Sequence, residues 1–164
     1  MGYVGSYIWS LRRDVGNRPL LVPGAQVLLV DEAGRGLLQR RADLGVWELP
    51  AGSCEEGSSF TSTAVEELAE ETGLLVEEAD LVPFASLSDP ALHVVEYPNG
   101  DVVHAFAICF AAYRWTGHLV PEPDEVTDVA FFDLADLPTP MHRPTEVALG
   151  LYREFLVDGR FRAR

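Results

Sequence analysis

Residues 52–74 read GSCEEGSSFTSTAVEELAEETGL. Ser58 or Ser59 fits the N-cap of a helix that runs to about Thr72, and Gly73 fits the left-handed position that ends it. Phe60, Ala64, Val65 and Leu68 give this helix an apolar face. The same segment carries Glu66, Glu67, Glu70 and Glu71, with no basic residue among them. Residues spaced i, i+3 and i+4 share a helix face, so Glu67, Glu70 and Glu71 converge, and Glu66 joins their edge. Like charges at that spacing destabilise a helix by roughly 0.2–0.5 kcal/mol per pair. They also sit in its C-terminal half, where the backbone dipole disfavours anions. A solvated face normally interleaves Lys or Arg. Carboxylates concentrated without them make sense around a hard divalent cation, Mg²⁺ or Mn²⁺, whose remaining ligands are water and phosphate oxygens. A purely solvated acidic face is the alternative.

The charge around this helix is distributed the same way. The chain has 164 residues, 26 acidic and 12 basic, for a net charge of −14; all the basic residues are Arg. Between Ala42 and Tyr113 there are 14 acids and no Arg. No basic footprint is available for nucleic acid, and none for an anionic membrane surface. With 48% apolar residues, the chain has material for a real core rather than a disordered tail. Its length suits a single domain spanning 1–164, with a short N-terminal arm at about 1–19. Cys54 and Cys109 form no metal-ligand spacing, and the N-terminal sequence has no signal-peptide pattern. Two reduced cysteines and no leader give a cytoplasmic expectation.

Outward from the helix, the pattern alternates between strand and turn. Leu20–Val30 reads as a strand interrupted by Pro23-Gly24. Asp31–Gly34 is a turn and Gly36–Arg40 a returning strand, so 24–40 looks like a hairpin. Trp47–Gly52 is a short strand. Further strands are expected at Leu81–Ser88, His93–Tyr97, Val102–Trp115 and Val129–Asp133, with a hairpin turn at Pro98–Asp101. Thr145–Val157 is a terminal helix. Strands, helix, strands, helix in that order imply an α/β (α+β) sandwich, a mixed β-sheet flanked by helices.

Residues 52–74 resemble the Nudix box, G-x5-E-x7-R-E-U-x-E-E-x-G-U with U aliphatic. Gly52 matches its first Gly. Glu67, Leu68, Glu70, Glu71, Gly73 and Leu74 match its end. Trp47–Gly52 resembles the W-x-L-P-G-G lead-in of many members, and the likeness extends over about residues 20–140. Two positions depart: Ser58 stands where the box has Glu, and Glu66 where it has Arg. In the family that Arg orients the catalytic carboxylates, so its loss leaves a second reading open, a catalytically weak or inactive nucleotide-binding module.

The resemblance implies a divalent-metal-dependent hydrolase that cleaves the pyrophosphate bond of a nucleoside diphosphate linked to another moiety. It implies Glu67, Glu70 and Glu71 as metal ligands, with Glu67 or Glu71 as general base. A distal ligand from a later loop is expected at Glu125, with Glu122 as the other candidate, and a further one at the Ala51 carbonyl. Arg40 and Arg41 are candidates for the substrate phosphates. Trp47, Phe84 and Tyr97 are candidates for stacking a base, though aromatics are more often core. Many members are homodimers, and Tyr3–Leu11 could serve as an arm for that.

Overall fold

In the computed structural model, which describes residues 4–96 and 99–164, Ser6 accepts the Trp9 amide and opens helix α1 (Tyr7–Val15). Strand β1 (Leu20–Leu29) follows, then a tight turn and β2 (Arg35–Arg41). Asp31 builds that turn by accepting the amides of Ala33 and Arg35. Two short strands, β3 (Trp47–Glu48) and β4 (Ala51–Ser53), lead into α2 (Phe60–Thr72). Next come β5 (Leu74–Leu75), β6 (Val82–Leu87), the single turn α3 (Pro90–His93), β7 (Val94–Glu96) and β8 (Val102–Ala112). The chain ends with β9 (Thr116–Gly117), β10 (Val126–Asp133), α4 (Arg143–Asp158) and β11 (Arg162–Ala163).

The larger sheet is mixed, in the order β11-β6-β8-β1-β4, with β7 also paired to β8. Strands β1 and β8 run parallel; β4 is antiparallel to β1. A second, antiparallel sheet is ordered β10-β2-β3. From Gly24 onward strand β1 is buried on both faces, its successive side chains pointing to opposite sides. Val27 and Leu29 pack with Ala64 and Leu68 of α2, while Leu28 and Val30 pack with Leu149 and Tyr152 of α4. Strand β8 divides likewise: Phe110 and Ala112 belong to the α2 side, Cys109 and Ala111 to the α4 side. The result is the expected mixed α+β sandwich. Among the described residues, no helix is long and apolar enough to cross a membrane.

Several expectations need correction. Pro23-Gly24 does not interrupt β1. Proline lacks only a donor; its carbonyl still accepts the Cys54 amide at 2.9 Å. Gly24 lets β4 come close, for a methyl group there would lie 2.4 Å from the Gly52 carbonyl oxygen. The 24–40 hairpin is also not one ladder. Beyond a single bridge between Val30 and Gly36, β1 and β2 separate into different sheets. Both edges of β1 are already taken, by β8 and β4. The Trp47–Gly52 strand is split the same way, β3 pairing with β2 and β4 with β1, so Leu49-Pro50 crosses between sheets. His93 ends the turn of α3, with Asp89 capping the Ala91 amide and Pro90 at its start. Helix α4 begins two residues before Thr145. The uneven pattern over 3–14 fits either a short helix or an arm, and residues 7–15 take the helical alternative. Of the Pro98–Asp101 turn, Pro98 lies outside the described residues, as does Tyr97 of the preceding strand; β7 and β8 pair antiparallel on either side.

Candidate functional site

Helix α2 delivers the acidic cluster. It starts with a reciprocal pair in which Ser59 Oγ accepts the Ser62 amide at 3.0 Å and Ser62 Oγ accepts the Ser59 amide at 2.9 Å. It ends at Gly73, which is left-handed at φ 74°. Its buried side carries Ala64, Leu68, Glu71 and Thr72, so Glu71 continues the apolar stripe and enters the interior with it. Phe60, at the first turn, stays 40% exposed and adds little to that face. Glu67 and Glu70 project beside Glu71 into a cavity of about 340 Å³.

Strand β4 and the loop after it form the facing wall. The Ala51 amide donates to Glu71 Oε2 at 2.9 Å, which fixes one carboxylate oxygen. Gly52 lies against Glu67 and leaves room for its carboxylate only because it has no side chain. The loop between β9 and β10 supplies Asp124 and Glu125. Glu122 turns that loop: its amide donates to the Glu71 carbonyl at 3.2 Å, and its own carbonyl accepts the amides of Glu125 and Val126. The Glu122 side chain is exposed and does not line the cavity.

Strand β2 adds Gln39 and Arg41, and β3 adds Glu48. Arg41 grips Asp43 with two bonds of 2.8 Å and reaches Glu48 at 3.3 Å. Glu48, 5% exposed, also faces His142 Nδ1 at 3.0 Å. Arg41 is the one cationic side chain among the described residues lining the cavity. Arg40 turns away from it and donates to the Gly45 carbonyl at 3.1 Å.

The structure thus brings together Glu67, Glu70, Glu71, Glu125, Ala51 and Arg41, and leaves out Glu122 and Arg40. Phe84 is fully buried in the core, and Trp47 packs edge-on against Phe132, so neither offers a free face to a base. Tyr97 lies outside the described residues. His93, at the end of α3, and His104, in β8, bond the carbonyls of Ala105 and Ser88. Gln39, Asp43, Glu48, Asp124, Ser6, Ile8 and Val103 also line the cavity, and the sequence reading missed them. Only Glu48 carries a legible signal, an acid inside an otherwise apolar strand.

The electrostatics of the cluster follow from this crowding. Burial, then the charges of Glu70, Glu125, Glu55 and Glu66, push the Glu67 carboxyl up to about 7. Burial pushes Glu71 well above the ordinary carboxylate range, and Glu67 and Glu48 add to it; Gln39 and the Ala51 amide pull the other way. Among the described residues, no three acidic, His or Cys side chains are already drawn together as a metal cage. The donor set fits a hard divalent cation: all oxygen, anionic, and cradled against a glycine.

A family model described as NUDIX domain matches residues 20–150. The NAD-capped RNA hydrolase NudC of Pseudomonas aeruginosa (strain LESB58) is 34% identical over 122 residues, which cover 73% of this chain and 39% of that protein. A MutT-like protein of Streptomyces ambofaciens is 44% identical over 72 residues, 44% of this chain and 47% of that one. The chain spans less than half the length of these curated relatives. The crystal structure of a MutT NUDIX hydrolase from Burkholderia pseudomallei superposes with a TM-score of 0.64 at 26% identity, covering 80% of this chain and 98% of that one.

Proposed function

The chain belongs to the NUDIX domain family, and from that premise we propose that it is a divalent-cation-dependent hydrolase of the pyrophosphate bond in a nucleoside diphosphate joined to a further group. The observation that carries the reading is the gathering of Glu67, Glu70, Glu71 and Glu125 around one cavity with Ala51 and Gly52 at its wall. Glu67, Glu70, Glu71 and Glu125 would hold the cation, with the Ala51 carbonyl as a further ligand. Bound Mg²⁺ or Mn²⁺ supplies charge neutralisation at the phosphates and lowers the cost of deprotonating water.

The remaining roles belong to the chain's own groups. Glu71, tied by the Ala51 amide and 7% exposed, acts chiefly as a fixed ligand. Glu67 stands in the cavity itself and takes the proton of the attacking water. Arg41 meets the phosphates, its guanidinium aimed by Asp43 and Glu48. Arg40 has no part in this site.

One observation favours a second reading, a module that binds a nucleotide without turnover. Glu66 adds an anion beside Glu67 where the family box has Arg, and it helps to raise the Glu67 carboxyl. The test is a substrate panel at millimolar Mg²⁺ or Mn²⁺: nucleoside triphosphates, nucleotide sugars, ADP-ribose and dinucleoside polyphosphates. At least one is cleaved if the hydrolase reading holds. Cation-dependent nucleotide binding with no cleavage of any of them would establish the module instead.

A further inference from the structure

Helix α1 lies outside the residues that match the family, yet it closes one side of the cavity. Ser6 and Ile8 both line it and are 2% and 8% exposed. Several contacts hold the helix there. Glu55 Oε2 accepts the Tyr7 amide at 2.7 Å. Arg12 Nε pairs with Asp101 at 3.4 Å, with both side chains almost wholly enclosed, and Arg12 Nη2 donates to the Val102 carbonyl at 2.8 Å. Asn17 donates to the Asn99 carbonyl at 3.1 Å. The residue after Val102, Val103, lines the cavity as well.

Ile8 and Val103 are the only large aliphatic side chains among the described lining residues; the others are polar or small. An aliphatic wall gains nothing from phosphate, which prefers cations and water. It gains by covering an uncharged ring. A substrate that is phosphate at both ends leaves this wall empty, whereas one bearing a nucleoside covers it.

Taking the hydrolase reading of the site as given, we infer that α1 is a specificity-determining wall: Ile8 with Val103 receives the uncharged face of the substrate's nucleoside. Glu55 is the positioning residue that holds α1 in place through the Tyr7 amide. The charge on Glu55 is not what the wall requires; an oxygen acceptor is. Glu55→Gln keeps that acceptor, and Glu55→Ala removes it, with the same loss of charge.

The test is calorimetric binding at millimolar Mg²⁺ of two uncleavable ligands, adenosine 5′-(α,β-methylene)diphosphate and methylenediphosphonate. Only the first carries a nucleoside. Ile8→Ala weakens the nucleoside ligand about tenfold and leaves methylenediphosphonate within about twofold. Glu55→Ala does the same and speeds amide exchange across Tyr7–Val15, whereas Glu55→Gln keeps wild-type selectivity. Equal weakening of both ligands, or of neither, overturns the inference, and so does loss of selectivity in Glu55→Gln as large as in Glu55→Ala. A wild type that binds methylenediphosphonate but not the nucleoside ligand sinks this inference alone. A wild type that binds neither sinks the hydrolase reading along with it.

Discussion

Glu67 fills the space that any side chain at residue 52 would need: a methyl group there would lie 1.8 Å from Oε1 and 2.3 Å from Oε2. The obstructing atoms are the tip of a flexible side chain, which yields by rotating away. Gly52→Ala therefore turns the Glu67 carboxylate out of the cavity without unfolding the protein. The thermal midpoint moves by only about 2 °C, while turnover falls about a hundredfold or more. Gly24→Ala gives the contrast. Its methyl would lie 2.4 Å from the Gly52 carbonyl oxygen, which is backbone and cannot swing aside. That change costs about 1–3 kcal/mol of stability. Calorimetry and kinetics on the two variants, side by side, check the pair. A Gly52→Ala protein with full activity would show that Glu67 does not need its place beside this glycine.

Glu71 offers a second separation of stability from activity. Its carboxylate is enclosed and accepts the Ala51 amide. Glu71→Gln keeps an oxygen for that amide and cannot take on the charge that the interior disfavours. The thermal midpoint without cation holds or rises, and turnover falls about a thousandfold. A falling midpoint in chelator would mean that the carboxylate form stabilises the fold, against the burial argument.

The helix bearing the cluster was legible because it is local. A serine cap, an apolar stripe and a terminal glycine all fall within 15 residues, from Ser59 to Gly73. The spacing of Glu67, Glu70 and Glu71 then fixed their shared face. What the sequence hid was non-local. The split of Leu28–Leu38 between two sheets depends on β8 and β4 occupying both edges of β1, and no residue near the turn announces that. Gln39, Arg41 and Glu48 reach the cavity from the second sheet, and Ser6 and Ile8 from the N-terminal helix. Arg40 and Arg41 are adjacent and chemically alike. Only the strand's alternation, with its register against β3, sends one to the cavity and the other to the Gly45 carbonyl.

The departures from the family box make their own prediction. Ser58 donates its amide to the Glu55 carbonyl at 3.0 Å and puts no carboxylate into the loop, while Glu66 stands exposed on α2 and repels Glu67. An Arg at residue 66 would attract Glu67 instead. Ser58→Glu combined with Glu66→Arg raises turnover several-fold and lowers the Mg²⁺ concentration needed for half-maximal activity. Glu66→Arg alone gives the larger share, since it changes the local charge by two. Titration of activity against Mg²⁺ measures both effects. Unchanged kinetics in the double variant would clear these positions of any restraint on the wild type.

The pH dependence of stability follows from Glu67. Its carboxyl is raised to about 7 in the fold from a usual 4.5. Between those values the folded protein holds a proton that the unfolded chain has released. Stability is then fully present below about 4.5, declines as pH rises, and is lost once pH passes about 7. The loss from this group reaches roughly 3 kcal/mol. Other carboxylates titrate in the same range, so the informative quantity is the difference between wild type and Glu67→Gln. In chelator, urea unfolding from pH 5 to pH 8, in steps of about one unit, shows wild type losing stability relative to Glu67→Gln as pH rises. With millimolar Mg²⁺ the order reverses, because a cation held by the ionised carboxylate stabilises the fold most where that carboxylate is charged. If Mg²⁺ leaves the two pH profiles unmoved, Glu67 binds no cation, and the hydrolase reading loses its central group.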